Sequence, residues 1–569
     1  MSPSNKELLV KSSLFAAFAA LALLGATPTA SLPTPEPSPI TPAVPQIAPG
    51  YRGPDVRPTG ADVVGVTQQP FVGLGLTDAI GMALSRNPDL AIAASNTRVA
   101  GYQITEARGA YDVRFRIEPS VQHSKQAPQN AFFSGPGFGP IEQNAQSLTG
   151  ALEGQLPTGG QYSVSVSQAR IDNNTTINAF NPWYTASLNV SVSQPLLRGL
   201  GAGSETRHQL ALSYIGQDAT SAQTLVNVSS TLSQVEDTYW NLVSAWRNVA
   251  IQEDALRHAV AQQQSNVRLA KAGRAAPIDA VESSSQVAVY QDNVFSALST
   301  VSQLQNELKA LIVDDPADPI WRANLMPTTA VLQLPRAPSL DELLANAMKN
   351  RPEIAQVAAA NRAADVNQAF AKNQTLPQVD LKLNYQGNGF AGNALPPLGG
   401  VFGNAAPPSY LGGTYNQAYG NMGRFPTTSV GVEISRPIGN TTARAALAAA
   451  NEQQRIARLQ SAGIDERVLF DVRNALQAYQ SASSRLYAAG EARKSAQQVY
   501  DSEVRKFKNG ESTTFLVTQR QVELVQQEGR ELQAQTDLNK AIVELQRVDG
   551  SILSSNNVSL QSLGNGTKP

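Results

Sequence analysis

The chain has 569 residues, 42% of them hydrophobic and only 16% charged, with a formal net charge of -1. That balance offers no global basic field to recruit nucleic acid and no acidic excess of the kind that marks a solvated tail. Cysteine is absent, which excludes disulfide staples, thiolate metal sites, cysteine nucleophiles and a lipid-modified N-terminal cysteine together.

In residues 1–26, Lys6 and Lys11 precede an apolar run from Leu14 to Ala26, the charge-then-apolar order of a secretory signal peptide. The run stops at Thr27 and Pro28, short of the roughly 20 apolar residues that a membrane-spanning helix needs. No later stretch reaches that length either, so any membrane crossing has to be made by strands. Residues 27–70 carry proline every few positions, which excludes helix and predicts an extended linker.

From Leu76 the chain repeats itself. "LTDAIGMALSRNPDLAIA" returns from Leu340 as "LDELLANAMKNRPEIAQV" at a gap-free offset of 264, setting Pro88 on Pro352 and Leu90 on Ile354. A second gap-free match at offset 237 sets Val235 on Val472, Gly273 on Gly510 and Leu308 on Leu545, so the first copy holds 27 more residues between its matched blocks. Two repeats of one unit follow, 71–313 and 339–553, separated by an inter-repeat segment 314–338 and ending in a tail 554–569 expected to be disordered.

Each repeat reads as a short helix broken at Asn87-Pro88 or Arg351-Pro352, a second helix, strands, and two long helices. The strands fall at about 113–195 and 378–437. Phe115, Ile117 and Val121 alternate with Arg114, Arg116 and Glu118, a period of two. Val164/Val166, Leu188/Val190/Val192, Leu381/Leu383/Tyr385 and Val430/Val432/Ile434 continue the alternation. Serine, asparagine and threonine fill most opposite positions, and Trp183, Tyr184, Tyr385, Phe402 and Tyr410 flank them. Dyad segments of this kind suit a barrel wall between lipid and water, and equally a soluble sandwich; export without a membrane-spanning helix favours the barrel. "NAFFSGPGFGPIEQNAQ" and "GFAGNALPPLGGVFGNAAPPSYLGG" read as outward loops. "LPTGG" at Leu156 to Gly160 reads as the turn of an extra hairpin in the first repeat.

The long helices carry heptad seams, at Val228, Leu232, Val235, Tyr239, Leu242, Trp246 and Val249, and on the return from Val287 through Tyr290, Val294, Val301 and Leu308 to Leu311. At 1.5 Å per residue a helix from Ser204 to Lys271 is about 100 Å long, several bilayers' thickness. Helical pattern stops and restarts at Gly273 and Gly510, the sequence grammar of a helical hairpin.

The duplicated plan, the "NPDL" and "RPEI" openings, the "QPLLRG" and "RPIG" joins and the "KAGRAAPID" and "KNGESTTFLV" turns together resemble the TolC-like outer membrane efflux protein family, from Leu76 to Leu553. The resemblance implies an α+β membrane fold: a homotrimer whose protomers share one transmembrane β-barrel continued by a periplasmic tunnel of antiparallel coiled coil, with 314–338 in an equatorial belt. It implies four strands per protomer and a twelve-stranded barrel, or six and eighteen if the extra hairpin joins the wall, and twelve is the expectation. It also implies a function: outer-membrane export of solutes, in a tripartite efflux or type I secretion system with a periplasmic adaptor and an inner-membrane pump. By position, Gly273, Arg274, Gly510 and Glu511 would form the adaptor-docking tips. The family's tunnel narrows at acidic residues six and nine beyond the turn glycine of the second copy. Here Asp279 and Glu282 hold those offsets in the first copy and Leu516 and Gln519 in the second, so Asp279 and Glu282 are the candidate gate, with a helix cap the alternative for Asp279.

The rival reading is a structural coiled-coil stalk or adhesin without transport activity. An enzyme is disfavoured, because no nucleophile-base pair, metal spacing, cofactor motif or phosphate loop stands out. His123, His208 and His258 lack the helical spacing of a metal pair and read as surface or packing.

Overall fold

The computed structural model describes residues 70–128, 135–175, 177–330, 338–396 and 406–558. The signal peptide, nearly all of the linker and Phe402 lie outside the described residues.

The first repeat opens with strand β1 (Phe71–Leu74) and helices α1 (Leu76–Arg86) and α2 (Pro88–Arg108). It continues through β2 (Arg114–Gln126), β3 (Ile141–Gln155), β4 (Gln161–Asn173) and β5 (Phe180–Pro195), then the long helices α3 (Glu205–Lys271) and α4 (Pro277–Ile312). Strand β6 (Asn324–Pro327) lies between the repeats. The second repeat runs α5 (Leu340–Asn350), α6 (Pro352–Gln374), β7 (Gln378–Ala394), α7 (Tyr415–Gly420), β8 (Phe425–Ser435), α8 (Thr441–Lys508) and α9 (Thr514–Val548). A last turn, α10 (Ile552–Ser555), follows. Among the described residues no helix is long and apolar enough to cross a membrane.

The proline breaks are built differently in the two repeats. Asn87 caps α2 by accepting from the amides of Asp89 and Leu90, at 2.9 and 3.2 Å, while its side-chain amide donates to the Leu311 carbonyl at 3.0 Å. At the equivalent place Arg351 is buried and held by Glu353 and Asp471, each at 3.1 Å. One geometry is thus stabilised once by a neutral cap and once by an ion-pair network.

Six strands form one antiparallel sheet in the order β2-β3-β4-β5-β7-β8. The repeats join where β5 pairs with β7. The four-strand plan implied by the resemblance is therefore corrected: the Leu156–Gly160 turn closes the β3–β4 hairpin, and both its strands lie inside the sheet. A second correction concerns the glycine-rich stretch read as loop from Gly389, because β7 persists to Ala394. Glycine serves there for close approach rather than turning, since a Cβ on Gly389 would lie 1.9 Å from the Ala418 carbonyl oxygen.

The core lies among the helices. All seven residues of the first seam are buried, and α3 packs on α2, α4, α6 and α9. Beside it β1 and β6 form a parallel pair stapled to α3. The Tyr239 hydroxyl donates to the Leu74 carbonyl at 2.9 Å and lies 3.0 Å from the Thr328 and Thr329 amides, and the Trp246 indole donates to the Leu325 carbonyl at 2.9 Å. Described structure continues past residue 554, where a tail was expected: Ile552 is fully buried, and the Asn556 amide donates to the buried Glu236 at 3.2 Å.

Candidate channel wall and helical tips

Strand register divides the sheet into two faces. One row across the sheet is Phe115, Leu152, Val164, Val190 and Tyr385; its neighbour on the opposite face is Arg114, Glu153, Ser163, Ser191, Asn384 and Ser429. The apolar face is uncovered over much of its area, with Val121, Val430 and Ile434 each more than 70% exposed. A soluble sandwich would bury that face against a second sheet. On the polar face, hydroxyl pairs bridge adjacent strands at Ser120–Ser147 (2.8 Å), Ser163–Ser191 (2.8 Å) and Ser167–Ser187 (2.6 Å). Nearer the helices the same face carries ion pairs: Arg116 with Glu118 and Glu153, at 3.3 and 3.1 Å, and Lys382 with Glu433.

The apolar band does not follow the rows. On β8 it centres on Val432, opposite Leu381, whereas on β2 it centres near Ile117, whose row meets β7 at Gly387, six residues further along. A drift of about 20 Å along the strands over five inter-strand steps of about 4.8 Å corresponds to a tilt near 40°. Membrane-spanning barrel strands tilt by about 35–45°, so a horizontal lipid layer would cut this sheet along such a diagonal. Among the described residues, strand β2 is paired only with β3, and β8 only with β7. Both outer edges are free.

The tips are a matched pair. Gly273 has φ +70° and Gly510 φ +82°. The Arg274 amide donates back to Leu269 at 2.9 Å and the Glu511 amide to Lys506 at 2.8 Å, closing both helices with the same left-handed glycine turn. Arg274 and Glu511 are exposed. Fully buried Asn266 approaches both hairpins: its amide nitrogen is 3.5 Å from the Asp279 carbonyl and its oxygen 3.4 Å from the Thr514 hydroxyl. Asp279 accepts from the Ala276 amide at 3.2 Å, a cap contact, and Glu282 is exposed on the same side of α4. Leu516 and Gln519 are exposed at the second-repeat positions.

Because an L-side chain in this conformation costs about 1–2 kcal/mol, Gly510→Val is expected to destabilise by about that amount. Gly529→Ala, within α9 where a Cβ meets nothing within 4 Å, should stabilise by up to about 1 kcal/mol. Thermal unfolding followed by helical circular dichroism checks both, and equal effects of the two would contradict the turn assignment.

Residues 343–551, almost the whole second repeat, match the outer membrane efflux protein family. The chain carries that family's repeat. Its first repeat lies outside the matched residues and is tied to the second by the gap-free internal repetition. Similar solved structures include the outer-membrane channel OprN, at 18% identity over 89% of this chain and 98% of that one, with a TM-score of 0.56. The Campylobacter jejuni CmeC outer membrane channel follows at 14% identity, 92% and 99% coverage and a TM-score of 0.59. The Vibrio cholerae outer membrane protein VceC stands at 14% identity, 84% and 96% coverage and a TM-score of 0.58. At these identities the likeness establishes the fold. No curated protein matches by sequence.

Three features escaped the sequence reading. Asn266 sits in a glutamine-rich stretch that gives no hint of its bridging position. Glu236 is buried and Glu528 half-buried among packed helices, and burial pushes each carboxyl up to about 7. The third is the seat of α7 on the sheet, just past the stretch read as loop.

Proposed function

We propose that this chain is the outer-membrane exit duct of an efflux or type I secretion assembly, with three copies closing one barrel and continuing as one periplasmic tunnel. The observation that carries the reading is the sheet with a tilted, uncovered apolar band and two free edges. In lipid an unpaired strand edge leaves backbone groups that water cannot satisfy, so β8 of one copy must pair with β2 of another. Three copies of six strands make an eighteen-stranded wall, wide enough for a water-filled lumen. The serine- and asparagine-rich face would line it. Exposed apolar side chains on the outer helices, Ile92, Val99 and Tyr102 on α2 and Leu459, Phe470 and Tyr487 on α8, would be covered by the neighbouring copies.

Transport through such a duct is passive. The helical tips around Gly273, Arg274, Gly510 and Glu511 would receive a periplasmic adaptor coupled to an inner-membrane pump, and Asp279 and Glu282 would narrow the tunnel beside them. Purified protein should have a trimeric mass in detergent and conduct in discrete steps in planar bilayers. Asp279→Ala/Glu282→Ala should raise the unitary conductance or open probability. Unchanged conductance in that variant removes the gate and leaves the channel; folded protein that never conducts removes the channel.

A further inference from the structure

Residues 409–424, between β7 and β8, lie down on the sheet. They do so on the apolar side: Ala418 of α7 packs on Ala186 and Ala391, with Tyr184, Tyr419 and Met422 around them. Gly387 and Gly389 on the same face permit the approach, since Cβ atoms there would lie 2.8 Å from the Met422 carbonyl oxygen and 1.9 Å from that of Ala418. Specific bonds hold the segment. Buried Asn421 donates to the carbonyls of Phe390 and Tyr410, both at 2.8 Å, the Gly413 amide donates to Gly392 at 3.1 Å, and the Tyr419 hydroxyl meets Gln168 at 2.9 Å.

Its position relative to the apolar band is informative. On β7 the band runs from Val379 to Tyr385, and the next outward-facing positions, Gly387, Gly389 and Ala391, are those that α7 covers. The segment therefore sits at the rim of the band furthest from the long helices. It is rich in tyrosine, with Tyr184 and Tyr415 edge to face at 4.8 Å, and it holds Arg424 over the Tyr410 ring at 4.8 Å. Asn416, Gly420, Gly423 and Arg424 are among its exposed residues. Tyrosines at an apolar boundary with an exposed cation beyond them match the chemistry of a bilayer's interfacial layer.

Resting on the reading of the apolar face as lipid-facing, we infer that residues 409–424 form a collar on the outside of the wall that docks into the phosphate-bearing headgroups of the outer leaflet. The collar fixes the height of the barrel in the membrane, and Arg424 supplies the contact to phosphate.

The absence of cysteine makes single-site spin labelling direct. Labels at Asn416→Cys in the collar, Val430→Cys in the band and Asn509→Cys at a helical tip are compared in the full chain in phosphatidylcholine vesicles containing phosphatidylglycerol, using oxygen and a water-soluble nickel chelate as collision probes. The expected result is high oxygen and low nickel accessibility at 430, and nickel accessibility at 416 several-fold below that at 509. In the Asn416→Cys/Gly389→Val variant, accessibility at 416 should rise toward that at 509. An aqueous label at 416 beside a lipid-buried label at 430 overturns the collar alone. Aqueous labels at both positions overturn the lipid-facing reading on which it rests.

Discussion

Trp246→Ala is expected to destabilise the protein by about 3–5 kcal/mol, the usual cost of deleting a large buried aromatic side chain. Trp246 is 2% exposed, packs its ring 6.2 Å from that of Phe71, and holds the Leu325 carbonyl. Truncation would open a cavity at the centre of the helical core and free β6 together with its parallel partner β1. Nearby contacts offer limited compensation. The ties from Arg86 to Asp318 at 2.9 Å and from Lys309 to the Trp321 carbonyl at 3.3 Å hold the inter-repeat segment further along. Trp246→Phe keeps most of the volume and loses the indole hydrogen bond, so its cost should be smaller, about 1–3 kcal/mol. Denaturant unfolding in detergent measures both. A cost below about 1 kcal/mol for the alanine variant would show that this core does not carry the stability its burial implies.

Glu236→Gln should stabilise the protein above neutral pH and leave it nearly unchanged in mild acid. Glu236 is 3% exposed on α3, and burial raises its carboxyl from 4.5 to about 7 against the opposing hydrogen bond from Asn556. Because the folded-state value lies above the unfolded one, the folded protein binds the extra proton between them. The associated stability is complete below about pH 4.5 and is lost as pH rises through about 7. At about 1.4 kcal/mol per unit, the loss is of the order of 3 kcal/mol by pH 8. Glu528 behaves alike, raised to about 7 by burial and then by the neighbouring carboxylates of Asp254 and Glu531, with Arg493 opposing. Melting temperature measured from pH 5 to 8.5 should fall more steeply in the wild-type protein than in Glu236→Gln, and most gently in the double Glu236→Gln/Glu528→Gln variant. Parallel curves for all three would remove the linkage. Since Glu236 faces Asn556, alkaline loosening should begin at the C-terminal segment around α10.

Periodicity made the long helices legible because each seam must face the same neighbours along its whole length. Val228 to Val249 could not keep alternating steps of four and three for any other reason, and all seven residues are buried. The turns at Gly273 and Gly510 were equally plain, since a left-handed helix end selects glycine locally. Strand alternation at Phe115 to Val121 and Val430 to Ile434 identified the two faces, because successive side chains of a strand point to opposite sides.

Long-range pairing was decided elsewhere. The extra hairpin could have lain outside the wall, and only the register of β4 against both β3 and β5 places it inside. Glycine at 389 and 392 reads as loop in sequence, because the same residue that permits a turn also permits a second segment to lie flat on a strand. Asn266, Glu236 and Glu528 are polar residues on helices, indistinguishable by type from their solvated neighbours. Their proximity to another hairpin, a C-terminal amide or a second carboxylate comes from residues far away in the chain. What the sequence by itself determined was therefore local and periodic: two repeats, which face of each element is apolar, and where each helix stops. The tertiary structure alone decided which faces meet, how many strands join the wall and which buried groups share an environment, because those depend on contacts between segments whose sequences do not constrain one another.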